Sequence, residues 1–116
     1  MPNKERILLK KTPEGYGVFE GNNLMPDIPA AAAYKENFDS HVLLYVKRIP
    51  IELALAGERG VPQLIGIAHT EEEADGRLYE CALEDARKLS RNTCKPFVDK
   101  TQRAKESKLA GKTSQK

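Results

Sequence analysis

Two imidazoles, His41 and His69, are the residues of this chain best suited to moving a proton or holding a metal. An unperturbed imidazole changes charge near neutral pH, and its neutral ring nitrogens ligate transition metals. Each histidine flanks an apolar run. His41 precedes "VLLYVK", residues 42–47, and His69 follows "QLIGIA", residues 63–68. If these runs pair as antiparallel strands, the two histidines meet at one end, beside Asp39, Glu71 and Glu72. A parallel pairing would separate them by a strand length. Together with Tyr45 and Tyr16, they form the candidate set for a small enzyme or ligand-binding domain with its pocket between sheet and helix. The weightier account makes both histidines surface residues at strand ends.

Three glycines in "TPEGYGVFEGNN", residues 12–23, resemble a phosphate-binding loop. Such a loop needs its glycines to end a strand and open a helix whose N-terminus faces the phosphate. Here the residues after Gly17 are Val18 and Phe19, which favour strand, and Gly21-Asn22-Asn23 would break any helix. The spacing Gly-x-Gly-x-x-x-Gly also departs from the dinucleotide fingerprint. A β-hairpin turning at Thr12–Gly17 is the expectation.

The remaining chemistry-bearing groups point to no catalytic constellation. Cys81 and Cys94 form no Cys-x-x-Cys pair, and no histidine stands at zinc-finger spacing to them. Cys81 falls on the apolar stripe of a helix, where a thiol is inert. The run Glu71-Glu72-Glu73 with Asp75 lacks the loop geometry of a calcium site, and complementing a helix dipole accounts for it better. No catalytic residue, metal or cofactor is assigned.

The charge distribution is the most suggestive feature. The formal net charge of +2 divides unevenly. From Lys95 onward seven Lys/Arg stand against Asp99 and Glu106, a balance of +5. Residues 1–94 hold twelve Lys/Arg against fifteen Asp/Glu, a balance of −3. Lys95, Lys100, Arg103, Lys105, Lys108 and Lys112 are candidates for tracking a phosphate backbone or an acidic protein surface. Aromatic residues for base stacking are missing there, with Phe97 alone nearby, so this contact would be weak in sequence preference and strongly salt-dependent.

These groups need elements to hold them. With 116 residues, 40% hydrophobic and 31% charged, the chain reads as one globular domain with a modest core. Its longest apolar runs fall short of a membrane span, so no membrane partner is expected. The N-terminal apolar run is too short for a signal peptide, and a cytoplasmic location follows as the expectation. Residues 42–47 and 63–68 read as buried strands. Ala30–Phe38 reads as a short helix, with Pro29 at its first position and Tyr34 and Phe38 sharing a face. Residues 51–56 are ambiguous, leaning to a strand that hairpins through Gly57–Gly60.

The clearest element is a helix over 71–91. Thr70 and Glu73 make a capping box, the acidic residues sit in the first turn, and Arg87, Lys88 and Arg91 sit near the end. Ala74, Leu78, Cys81, Ala82, Ala86 and Leu89 recur at helical spacing as one apolar stripe.

The fold class expected is therefore α+β: a small, mainly antiparallel sheet with one long amphipathic helix on a face. Residues 1–98 form the domain and 99–116 a flexible basic tail. Function is expected to lie in macromolecular binding rather than catalysis, as an accessory protein or part of a larger assembly. A short-edged sheet with an open face also suits a homodimer.

Overall fold

A computed structural model of the chain describes residues 5–22, 26–54, 57 and 59–101. Strands β1 (Arg6–Thr12), β2 (Gly15–Gly21), β3 (Ile28–Asn37), β4 (Val42–Arg48) and β5 (Gln63–Ala68) follow one another as an antiparallel meander. Helix α1 (Glu71–Thr93) then crosses one face of the sheet. It delivers β6 (Phe97–Asp99) to the far edge, parallel to β1. The strand order is β5-β4-β3-β2-β1-β6, and the architecture is α+β.

The glycine-rich segment is the β1–β2 hairpin. Thr12 pairs with Gly15 around Pro13-Glu14, and β2 runs on through Gly17 to Gly21 without opening a helix. Gly15 is required by close approach. A Cβ there would collide with the Ala33 carbonyl of β3.

Side chains alternate across a strand, so the meander has two distinct faces. One carries Ile7 and Leu9 of β1, Tyr16 and Val18 of β2, Ala31 and Ala33 of β3, and Val42 and Leu44 of β4. Against it α1 buries Ala74, Leu78, Ala82, Ala86 and Leu89. Alanines on both β3 and α1 let the helix backbone approach the sheet closely. Each fully buried Leu there contributes roughly 1.5–3 kcal/mol through the area it removes from water.

The helix ends as its sequence suggests, two residues later than expected. The Thr70 hydroxyl accepts from the Glu73 N–H at 3.0 Å, and the Glu73 carboxylate accepts from the His69 N–H at 3.1 Å. At the other end Cys94 adopts a left-handed conformation, φ 57°, and its N–H closes on the Ser90 carbonyl.

Two local expectations are corrected. Residues 30–37 are strand, not helix. The alanine run favours helix in isolation, but β3 gains a ladder on each side, with β2 and β4. Pro29 lies at a bulge, where Phe19 pairs with Pro29 and Val18 with Ala31, so Ala30 is the extra residue. Residues 51–54 form a turn rather than a strand, with the Leu53 and Ala54 N–H groups both donating to the Pro50 carbonyl. Residues 55 and 56 lie outside the described residues. Asp99 pairs with Leu9 as the last residue of β6. No helix among the described residues is long and apolar enough to cross a membrane.

Candidate functional site on the open sheet face

The second face of the sheet carries no helix among the described residues, because α1 packs entirely against the first. Its centre is aromatic. Tyr34 of β3 pairs directly with Tyr45 of β4, and their rings stack with centroids 5.5 Å apart and planes 21° apart. Burial, followed by the Glu36 carboxylate, pushes the Tyr45 phenol above its ordinary value. Toward β5 the face is aliphatic and open, with Leu64 57% and Ile67 46% exposed. Toward β1 the Lys10 ammonium sits 5.1 Å from the centre of the Phe19 ring and pairs with Asp27. Lys47, one alternation along from Tyr45, is exposed and forms no ion pair with the described residues.

A shallow cavity of about 410 Å³ opens on this face, lined by Thr12, Pro13, Glu14, Ala32, Tyr34, Lys47 and Pro62. Small side chains explain it. Ala32 contributes only a methyl group, and β2 presents Gly15 and Gly17 on the same side. Helix α1, on the other side, carries seven Asp/Glu against four Lys/Arg, and three of its carboxylates pair with Lys11, Lys35 and Arg48 of the sheet.

The ligand-site candidates named from sequence fall into three places. His41 and His69 flank the Val42–Ala68 pair of the antiparallel β4–β5 ladder, so the condition for their approach is met. Both line one cleft of about 380 Å³ with Phe38, Ser40 and Glu71. There the His41 ring stacks on Phe38 at 5.2 Å, and its Nδ1 lies 3.0 Å from the Ser40 hydroxyl. No group of three or more His, Cys, Asp or Glu among the described residues is arranged to hold a metal ion. Tyr45 stands on the open face. Tyr16 is buried on the other one, under α1, where its hydroxyl donates to Asp75 at 2.8 Å. The structure thus parts Tyr16 from Tyr45 and places the two histidines on one cleft.

Of the basic candidates, Lys95 is engaged inside the fold. Its ammonium lies 2.6 Å from the Glu20 carboxylate and 4.0 Å from that of Glu5, and the hydrogen bond to Glu20 raises its pKa. Lys100 is exposed just past β6, its N–H donating to the Leu9 carbonyl. Arg103, Lys105, Lys108 and Lys112 lie outside the described residues.

Sequence reasoning missed Tyr34, Phe19 and Lys47 as members of one surface. The signal available was the alternation in β4, where Leu43, Tyr45 and Lys47 stand opposite to Val42, Leu44 and Val46. No protein-family model, curated protein or solved structure matches this chain.

Proposed function

We propose that the protein is a non-enzymatic binding protein that takes single-stranded nucleic acid on the open face of its sheet, assisted by its basic C-terminal segment. The observation that carries this reading is the stacked Tyr34–Tyr45 pair, on a face that no helix covers among the described residues, beside Lys47, which forms no ion pair with them. Proteins that hold single strands combine aromatic rings, on which bases stack, with cations that follow the backbone. The C-terminal segment is rich in cations but poor in aromatics, and the sheet supplies what it lacks.

The test is fluorescence anisotropy of the full chain with labelled single-stranded RNA, single-stranded DNA and duplex DNA, at about 0.05 M and about 0.2 M salt. Single strands should bind, and tighter at low salt. Replacing both tyrosines, Tyr34→Ala and Tyr45→Ala, should weaken that binding on the order of tenfold or more. Duplex binding unaffected by the tyrosine changes would assign the contact to charge alone and remove the face from it.

A second reading has one observation behind it, the meeting of His41 and His69 in one cleft with Ser40 and Glu71. That arrangement suits a small polar ligand. Proton NMR titration of the two imidazoles checks it: two independent titrations, indifferent to added anions or metabolite mixtures, would set it aside.

A further inference from the structure

The cavity beside Tyr34 holds more chemistry than a stacking platform requires. Pro13 and Pro62 give it apolar walls and Tyr34 an aromatic one, while Glu14 and Lys47 bring one carboxylate and one ammonium to the same space. Neither charge is ion-paired among the described residues, with each other or with a neighbour. Both sit exposed at the cavity margin, Glu14 on the β1–β2 turn and Lys47 near the end of β4. The pair is a hydrogen-bond acceptor and a hydrogen-bond donor at the margin of one cavity with an aromatic wall. At about 410 Å³ the cavity lies within the range of small-ligand sites, roughly 300–1,000 Å³.

We infer that this cavity receives a guanine base from the bound strand, an inference that rests on the reading of the open face as a single-strand surface. Guanine presents two adjacent N–H donors, at N1 and N2, next to the O6 acceptor. A carboxylate accepts both donors, and an ammonium donates to O6 or N7. Charge and hydrogen bonding are then complementary on both sides, and the ring packs against Tyr34. Adenine reverses the order. Its N1 is an acceptor and would face the Glu14 oxygens, and its N6 amino group would face the Lys47 ammonium. Unstacked bases of a single strand expose these edges, so no duplex has to be opened.

The experiment uses the full chain and labelled oligouridines carrying one central guanosine, inosine or adenosine. Guanosine should bind about tenfold more tightly than adenosine, as one bidentate contact discriminates. Inosine, lacking the N2 amino group, should fall between them. Glu14→Gln should collapse the guanosine preference, whereas Glu80→Gln on the exposed side of α1 should leave it intact. Amide signals of Thr12 and Ala32 should shift on titration with guanosine monophosphate and not with adenosine monophosphate. Equal affinity for guanosine and adenosine would overturn the guanine assignment while leaving the single-strand reading standing. Failure of every oligomer to bind would overturn both.

Discussion

At the scale of single residues, the two thiols show how environment separates identical groups. Cys81 is half-buried between α1 and β4; burial, with the Asp85 carboxylate behind it, pushes its thiol up to about 11. At pH 8 its thiolate fraction is then on the order of one in a thousand, and the thiolate is the reactive species. Cys94 is exposed. An aromatic disulfide reagent should therefore label Cys94 rapidly and Cys81 slowly in the native protein, with both equalising in urea; equal native rates would contradict the burial of Cys81. Cys94 carries a second cost. It occupies the left-handed region at φ 57°, where a side chain is disfavoured and glycine is not. Cys94→Gly should stabilise the fold by about 1 kcal/mol, read as a higher urea midpoint with an unchanged slope.

At the scale of elements, the hairpin depends on a position with no room for a methyl group. Gly15→Ala would drive a Cβ into the Ala33 carbonyl, a backbone atom that cannot step aside. A loss of about 1–3 kcal/mol is expected, with amide exchange accelerated first along β2 and β3. Gly76→Ala on α1 is the useful contrast, since a Cβ there meets nothing. That change should add roughly 0.5–1 kcal/mol of helix stability.

The same elements explain what could be read from sequence. Helix α1 was legible because its cap, dipole charges and apolar stripe are all local. The hairpin was legible because Val18-Phe19 and the Gly21 break exclude a helix. Strand β3 was not, because the preference of Ala30–Ala33 for helix is local while its two ladders are made with distant segments. Residues 51–54 were misread for the opposite reason. Pro50, Leu and Ala do make the helical hydrogen bonds their propensity suggests, but only for one turn. Strand β6 has three residues and exists through its pairing with β1, so no pattern announces it. The open face was half-visible. The alternation in β4 was there to see, but which side α1 would cover depends on the crossover.

At the scale of the whole molecule, one buried and one half-buried carboxylate give stability opposite dependences on pH. Asp85 contacts Arg48 at 2.9 Å, yet burial outweighs that contact and pushes its carboxyl above the ordinary value of 3.8. The folded state then holds its proton more tightly than the unfolded one, so its contribution to stability falls as pH rises through that interval. Asp99 is the reverse. Burial pushes it up, but donors from Thr101 and Tyr79 together bring its carboxyl below 3.8. Its contribution is present above 3.8 and is lost as pH falls through the folded value. Asp99→Asn should therefore be less stable than the parent near neutrality, with the gap closing on acidification, as measured by urea unfolding across that range. A gap independent of pH would mean that Asp99 acts by packing alone.

The parallel pairing of β6 with β1 also determines how the molecule would answer a pull. Ile7, Leu8 and Leu9 lie beside Phe97, Val98 and Asp99, and the ladder is extended by the Ile7 N–H on Pro96 and the Lys100 N–H on Leu9. In a parallel pair the start of one strand and the end of the other lie at opposite ends of the ladder. A tension drawn between the start of β1 and the end of β6 therefore loads these hydrogen bonds lengthwise and together, instead of opening them one at a time. Stretched by its two ends in a single-molecule instrument, the domain should resist as a clasp and give way in one abrupt event. Tension applied across the β1–β2 hairpin, whose partners are antiparallel, should instead unzip it gradually at lower force.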